Sequence, residues 1–200
     1  MNKLFNINNI DIYDINTTIL INSKYKYRED AVNYINNNCE VFTRYSISNI
    51  FDIDNSVLEE YNLKELKNKK DLTKIDEIKL FLLNSLKTNK NVIVFFNILT
   101  YVDSEFKNKL INDLKNKNKT IINYTTEIKE TLLLDYLIVI HNNEVIMEGN
   151  TKDVLKEEKI IKKLGFNMPF IIELSNGLKY YNIVDKLYYD NESLVNDLWK

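Results

Sequence analysis

The chain has 200 residues, 44% of them hydrophobic and 28% charged, which excludes a disordered chain and suffices for one compact domain with a small appendage. Its 27 basic residues against 29 acidic ones give a net charge of −2, so no basic excess is available to neutralise phosphates, and we expect no nucleic-acid partner. The single cysteine, Cys39, excludes a disulfide framework.

The beginning of the chain predicts a cytoplasmic protein. MNKLFNINNIDIYD lacks the basic stretch and the apolar stretch of a signal peptide. Apolar segments such as LLLDYLIVI fall far short of the ~20 residues that a membrane-spanning helix needs. We therefore expect a protein that reaches the inner face of the cell membrane only through partner subunits.

Predicted strands alternate with predicted helices along most of the chain. Short β-branched or aromatic runs predict the strands, and apolar residues at helical spacing predict the helices. The predicted strands are 15–21 (INTTILI), 40–43 (EVFT), 92–96 (VIVFF) and 120–124 (TIINY), followed by a hairpin at 136–148 (YLIVIHNNEVIME). The predicted helical segments are 28–35, 56–72, 76–86, 104–116, 127–135 and 151–164.

This order of elements predicts an α/β fold. Its sheet is mostly parallel and flanked by helices, an antiparallel hairpin forms one edge, and a small helical extension follows at the C-terminus. A junction near residue 150 divides the chain into an α/β domain over 1–150 and an extension over 151–200.

Glycines are rare and come late in the chain. They are Gly149, Gly165 and Gly177, and the first 148 residues contain none. A loop that wraps backbone N–H groups around a phosphate needs positions with positive φ and no Cβ. The N-terminal part of the chain therefore predicts no ordinary phosphate-binding loop.

The buried strand 92–96 ends without a carboxylate. A nucleotide-hydrolysing enzyme usually ends such a strand in carboxylates that hold Mg²⁺ and orient water. Here the strand ends in Phe95 and Phe96, Asn97 follows, and the next carboxylate is Asp103. Asp103 is a good N-cap for the predicted helix 104–116.

Three C-terminal segments follow the pattern of one family: DYLIVIHNNEVIMEGNTKDVL, LGFNMPFIIELSNGL and ESLVNDLW. They resemble the ATP-binding cassette (ABC) ATPases, specifically the A components of energy-coupling factor (ECF) transporters. The resemblance implies a P-loop-NTPase-like fold, and it implies that the C-terminal region helps two ATPase subunits to pair. The interface residues implied in this way are Gly165, Pro169, Phe170, Glu173, Leu174 and Trp199.

The phosphate-loop position of that family falls just after the strand 15–21. The residues that stand against the pattern G-x-x-x-x-G-K-[ST] are Asn22, Tyr27, Arg28, Glu29 and then Asp30. The two acids would place carboxylates where a helix N-terminus should receive phosphate. Arg28 keeps a positive charge, but a local ion pair with these acids explains it better than an anion site does. The strands that normally precede this loop are not recognised.

The other ATPase motifs are replaced in the same way. The resemblance puts Thr43 at the Q-loop glutamine and Thr126 at the switch histidine. It puts Phe96 at the magnesium-site aspartate and Asn97 at the catalytic glutamate. The signature stretch Leu-Ser-Gly-Gly-Gln, whose backbone donors serve the γ-phosphate of the opposite subunit, falls on residues 72–76 (LTKID).

Two remaining polar residues have a structural and a functional interpretation. Asp103 keeps its type as the D-loop aspartate, but we favour the helix cap as its role. His141, the only histidine, stands in the predicted hairpin turn and is expected to be a solvated turn residue rather than a catalytic base.

These replacements predict a degenerate and shortened ECF ATPase subunit that does not hydrolyse ATP and holds no cofactor. Its expected partner is a second ECF-type ATPase subunit, in a hetero- or homodimer, with the membrane-embedded T component as a further candidate. Two rival hypotheses stay open. One is an active or weakly nucleotide-binding subunit that holds ATP and Mg²⁺ through unusual residues such as Arg28, and the other is a free-standing interaction protein that kept the fold.

Overall fold

The computed structural model describes residues 3–7, 10–22, 39–47, 52–142 and 144–199. The helix predicted at 28–35 lies outside these ranges, and so do Tyr27, Arg28, Glu29 and Asp30 of the phosphate-loop position.

A six-stranded sheet forms the centre of the protein. The described residues form two further strands beside these six. In chain order the eight strands are Lys3–Ile7 (β1), Ile10–Tyr13 (β2), Thr17–Ile21 (β3), Glu40–Thr43 (β4), Val92–Phe96 (β5), Thr120–Thr125 (β6), Tyr136–His141 (β7) and Glu144–Asn150 (β8). The central sheet has the order β4-β5-β6-β3-β7-β8, and β1 and β2 pair separately as an antiparallel hairpin. Within the central sheet all neighbours are parallel except β7 and β8. The predicted fold class is confirmed.

Helices connect the strands and follow the sheet. The α-helices are Asn55–Glu60 (α1), Lys74–Leu83 (α2), Ser104–Asn116 (α3), Thr151–Val154 (α4), Glu158–Lys163 (α5), Phe170–Tyr180 (α6) and Asn191–Leu198 (α7). Short 3₁₀ helices are Lys64–Asn68, Asn84–Leu86, Leu99–Tyr101 and Ile128–Leu133. The segments 56–72 and 127–135, predicted as helical, are therefore shorter and partly 3₁₀ in form.

Alternate residues of the strands face opposite sides of the sheet and enter different hydrophobic clusters. On one side Ile19, Val94 and Ile138 pack with Ile12 of the β1–β2 hairpin. On the other side the cluster around Phe95 joins the sheet to the helices α1, α2 and α3.

The segment after residue 150 packs against the sheet. Val154, Ile161 and Ile172 of the C-terminal helices share a buried cluster with Leu137 and Val139 of β7. The division of the chain at residue 150 stays a prediction.

The β1–β2 hairpin was not predicted from the sequence. The expectation that further strands are missing ahead of the predicted strand 15–21 is wrong, because β1 and β2 lie ahead of β3. The alternation of Ile10, Asp11 and Ile12 was the available signal, and Ile12 is fully buried. The many asparagines around it, which have low strand propensity, obscured that signal.

Asparagine takes the backbone conformation for which the sequence analysis required glycine. Among the residues that the structure describes, the non-glycine residues with positive φ are Asn62, Asn97, Asn118, Asn142 and Asn182. Asparagine tolerates this left-handed region better than other residues with a Cβ. The number of glycines alone is therefore too low an estimate of how many residues in this chain can adopt a positive φ.

Candidate functional site

The candidate site is the edge of the sheet at which the parallel strands end. Thr43 of β4 is in register with Phe96 of β5, which is in register with Tyr124 of β6. This brings the positions aligned with the Q-loop glutamine and the magnesium-site aspartate onto adjacent strand ends. In open α/β sheets this edge is the usual place for a ligand.

An aromatic stack occupies the strand end to which the resemblance assigns a magnesium carboxylate. The rings of Phe96 and Tyr124 are nearly parallel, with centroids 4.5 Å apart and an interplanar angle of 10°. Mg²⁺ requires oxygen ligands in octahedral geometry, and a phenylalanine ring supplies none. The position of Phe96 therefore does not fit the metal that the fold implies.

Asn97 and Thr126 lie together directly after these strands. The backbone N–H of Asn97 donates to the carbonyl of Tyr124 at 2.7 Å, and its Oδ1 lies 3.4 Å from both N and Oγ1 of Thr126. The positions aligned with the catalytic glutamate and the switch histidine are thus in contact. They carry an amide and a hydroxyl, neither of which is basic enough to accept a proton from water.

Thr43 is used in a local turn. Its Oγ1 accepts a hydrogen bond from the N–H of Tyr45 at 3.0 Å, and its carbonyl accepts one from the hydroxyl of Ser46 at 3.1 Å. The next side chain, Arg44, donates to the hydroxyl of Tyr101 at 2.9 Å and lies 4.7 Å from the centroid of the Tyr45 ring. The result is an exposed group of one arginine and two tyrosines beside the strand ends.

Asp103 caps α3. Its Oδ1 accepts from the N–H of Phe106 at 2.8 Å, and its Oδ2 lies 2.5 Å from Nζ of Lys79. The hydrogen bond from Lys79, and then that from the Phe106 backbone, lower the pKa of the Asp103 carboxyl. The geometry is that of an N-cap with an added ion pair, which is the interpretation that the sequence analysis favoured.

The segment aligned with the signature stretch forms the beginning of α2. The Thr73 hydroxyl accepts from the N–H of Asp76 at 3.2 Å, and the Asp76 carboxylate accepts from the N–H of Thr73 at 3.0 Å. Together these bonds form a capping box. Lys69 binds the same carboxylate at 2.8 Å and is the largest cause that lowers the pKa of Asp76.

Asn22 is the one residue that the structure describes among those that the resemblance assigns to the phosphate-loop position. Its Nδ2 donates to the carbonyl of Leu164 at 3.0 Å, which joins the end of β3 to the C-terminal segment. The neighbouring Gly165 has a φ of +87°, a conformation that disfavours any side chain. Both residues have structural roles here.

The residues of the implied pairing interface lie on and beside α6. Phe170 and Trp199 are 73% and 86% exposed, and Leu174 is also exposed. Pro169 forms the N-cap of α6, and Glu173 forms an ion pair with Lys162 at 2.9 Å. Their role in pairing stays a prediction.

The exposed face of α6 is continuous. Phe170, Leu174, Gly177 and Tyr181 follow one another at intervals of four, three and four residues, which places them on one side of the helix. A Cβ at Gly177 would meet no atom within 4 Å. Val195 and Leu198 of α7, and Trp199 directly after it, are exposed apolar residues as well.

Sequence reasoning missed a buried ion pair between α3 and the 3₁₀ helix Ile128–Leu133. Nζ of Lys107 in α3 lies 3.2 Å from Oε1 of Glu130, and both side chains are buried. The signal was present, because Lys107 shares a helical face with the buried Ile111 and Leu114. His141 also differs from expectation, since it is the last residue of β7 and its Nδ1 is buried without a hydrogen bond among the described residues.

The described ranges contain neither a cluster of metal ligands nor a membrane-spanning helix. Within them no three His, Cys, Asp or Glu side chains are grouped so that they could hold a metal ion. None of the helices in these ranges combines the length and the apolar character that crossing a bilayer requires.

The sheet order and the position of the site define the fold of an ATP-binding cassette, and solved structures confirm that fold. An ATP-binding cassette of an ABC transporter superposes with a TM-score of 0.58 at 15% identity, over 76% of this chain and 89% of that chain. Its ADP conformation superposes with a TM-score of 0.56 at 14% identity, over 80% of this chain and 95% of that chain.

The sequence relatives are more specific than the fold. The energy-coupling factor transporter ATP-binding protein EcfA1 of Mesomycoplasma hyopneumoniae is 35% identical over 126 residues, which cover 61% of this chain and 45% of the relative. EcfA of Malacoplasma penetrans is 30% identical over 155 residues, which cover 74% of this chain and 54% of the relative. The resemblance to ECF ATP-binding proteins is therefore confirmed. The chain spans about half the length of these relatives, and no protein-family model matches it.

Proposed function

We propose that the chain is a non-hydrolysing subunit of an ECF-type importer and the structural or regulatory partner of an ATP-binding subunit. The relatives named above are ATP-binding proteins of such transporters. A peripheral position on the inner face of the membrane, reached through partner subunits, belongs to the same proposal.

The observation that carries the proposal is the chemistry of the strand ends. Phe96 stacks on Tyr124, and Asn97 contacts Thr126, where hydrolysis needs a metal ligand, a general base and a histidine. A positioned general base contributes a factor of about 10²–10⁴ to a rate, and the metal-side carboxylate contributes separately. A chain without both is a poor catalyst even if it holds ATP.

The pairing part of the proposal rests on the exposed apolar face of α6 and α7. Phe170, Leu174, Tyr181, Leu198 and Trp199 are all exposed there. Aromatic residues concentrate at the energetically dominant positions of protein interfaces. Pairing with a second ATPase subunit is better supported than docking on the T component, because the resemblance assigns pairing to the C-terminal region that carries these exposed side chains.

A titration with MgATP separates the proposal from the rival of an active subunit. A ligand at 100 times its Kd stabilises the folded state by about 2.7 kcal/mol, which is a shift of about 5–10 °C in Tm for a protein of this size. We expect no shift and no phosphate release for the isolated chain. A saturable shift together with turnover would make the chain an ATPase.

Co-purification tests the partner. The chain is expressed with an ATP-binding relative from the same cell and, separately, with the T component. We expect a stable complex with the former. A chain that stays monomeric or pairs only with itself, and that binds neither protein, would be the free-standing interaction protein of the second rival hypothesis.

A further inference from the structure

We infer that pairing with this chain lowers the ATPase rate of its partner, so that the chain is an inhibitory subunit. The inference rests on the proposed function. It concerns the beginning of α2, where residues 72–76 stand in the place of the segment that would face the partner's γ-phosphate.

The first turn of α2 carries side chains where a phosphate would need bare backbone. Lys74 and Ile75 occupy the positions of the two glycines in the aligned signature stretch, and Ile75 is 53% exposed. Glycine at such positions lets a ligand reach the backbone N–H groups closely. The side chains of Lys74 and Ile75 would hold a phosphate away from these backbone N–H groups.

Two further backbone donors of this turn are already used. The N–H of Asp76 donates to the hydroxyl of Thr73 at 3.2 Å, and the next N–H, that of Glu77, donates to the carbonyl of Thr73 at 3.0 Å. A helix N-terminus attracts anions through such free donors. The capping box therefore engages two donors of this terminus, the N–H groups of Thr73 and Asp76, from within the chain.

A fixed carboxylate completes the obstruction. Asp76 is held by the N–H of Thr73 and by Lys69, with oxygen–nitrogen distances of 3.0 and 2.8 Å. A glutamine stands at the aligned position, and glutamine can donate a hydrogen bond to a phosphate whereas an ionised carboxylate only accepts. The ammonium of Lys74 is itself bound to Glu77 at 3.0 Å, so the beginning of α2 offers the partner's nucleotide bulk and an ionised acceptor in place of a glutamine.

If the beginning of α2 closes the partner's nucleotide site, that site lacks the backbone donors that stabilise the negative charge developing in phosphoryl transfer. Removal of one such donor from an enzyme costs about 10²–10³ in kcat. We expect the complex to hydrolyse ATP at roughly 1% of the rate of the partner paired with itself, or more slowly.

The test uses the full chain and an ECF ATP-binding relative that hydrolyses ATP. The ATPase rate of a fixed amount of relative is measured as the chain is added, and complex formation is followed in the same samples by fluorescence anisotropy. The rate should fall in proportion to the complex formed. An unchanged or raised rate in a formed complex would overturn the inference and leave the proposed partnership intact. Absence of any complex would remove the proposed function, and the inference with it.

A variant separates the role of α2 from simple sequestration of the relative. Lys74→Gly/Ile75→Gly/Asp76→Gln restores the aligned residue types at the beginning of the helix. It should bind the relative equally well and allow at least a tenfold higher ATPase rate in the complex. The matched control is Asp71→Gln, an exposed carboxylate outside the capping box, which should inhibit like the original chain.

Urea unfolding of each variant confirms that it is folded before the comparison. A folded triple variant that inhibits as fully as the original chain would show that α2 is not the cause. If the triple variant does not fold, Ile75→Gly alone, which keeps the capping box, is compared in the same assay and must raise the rate in the complex.

Discussion

Lys107 and Glu130 form an ion pair inside the protein, with Nζ 3.2 Å from Oε1 and with side chains that are 8% and 0% exposed. The second carboxylate oxygen accepts from Nδ2 of Asn123 at 3.3 Å. Lys107 belongs to α3, Asn123 to β6 and Glu130 to the 3₁₀ helix Ile128–Leu133. One buried carboxylate therefore joins three elements, of which β6 also carries Tyr124 of the candidate site.

Lys107→Met should be among the most destabilising single changes in the chain. It leaves the buried carboxylate of Glu130 with Asn123 as its one remaining donor among the described residues. Breaking one side of a buried ion pair costs about 3–5 kcal/mol because the other charge stays buried. Urea unfolding monitored by circular dichroism measures the loss.

A second variant and a control make this measurement specific. Lys107→Met/Glu130→Gln removes both charges and keeps an acceptor for Asn123, so it should recover more than half of the loss. Lys115→Met on the same helix breaks a partly exposed ion pair with Asp135 and should cost less than about 1 kcal/mol. A loss of the same size from both lysines would contradict the buried pair.

The sequence predicted the helix 104–116 and the strand 92–96 at the bounds that the structure has, because the helix shows a clear apolar period after an N-cap and the strand is one continuous apolar run. The resemblance assigned Asn97 and Thr126 to two motif positions but did not predict that these residues lie together. The contact between Phe96 and Tyr124 could not be predicted. It depends on the register of strands that lie far apart in the chain, which local spacing does not encode.

Asn118→Gly should stabilise the protein. Asn118 follows the end of α3 with a φ of 56°, and its N–H donates to the carbonyl of Lys115 at 2.9 Å. Glycine adopts this conformation without the penalty of about 1 kcal/mol or more that a Cβ brings, so a gain of about 0.5 kcal/mol is expected and Asn118→Ala should lose about 1 kcal/mol.

The matched control for this prediction is the same replacement two residues earlier. Asn116 is the last residue of α3, and glycine there should destabilise by about 0.3–0.5 kcal/mol because it is a poor helix former. Thermal unfolding of the variants gives the order of stability. If Asn118→Gly were no more stable than Asn116→Gly, the left-handed conformation would not be the cause.

Stability should fall as the pH drops below about 4, the ordinary pKa of an aspartate. Lys79 lowers the pKa of Asp103, and Lys69 lowers that of Asp76, each as the largest cause. Both carboxylates are protonated in the unfolded chain before they are protonated in the folded one. Their contribution is complete at neutral pH and is lost as the pH falls through the folded-state values.

Urea unfolding at pH 7 and pH 3 tests this pH dependence. Asp103→Asn/Asp76→Asn should lose less stability between the two pH values than the original chain. Asp71→Asn serves as the control at an exposed carboxylate and should keep the original pH dependence. Parallel pH profiles for the double variant and the original chain would exclude these two residues as the cause.

Phe170→Glu/Tyr181→Glu should abolish pairing without unfolding the chain. Both side chains are 73% exposed, so their loss should change the free energy of unfolding by less than about 0.5 kcal/mol. Aromatic residues at the centre of an interface contribute about 2 kcal/mol or more each, and two added carboxylates oppose desolvation, so the Kd for the partner should rise at least about 100-fold.

Tyr45→Ser is the control, because Tyr45 is 83% exposed but lies beside the strand ends, away from α6. Sedimentation velocity with the partner measures all three proteins. Pairing that survives the double variant and fails in Tyr45→Ser would move the interface from the C-terminal helices to the turn after β4.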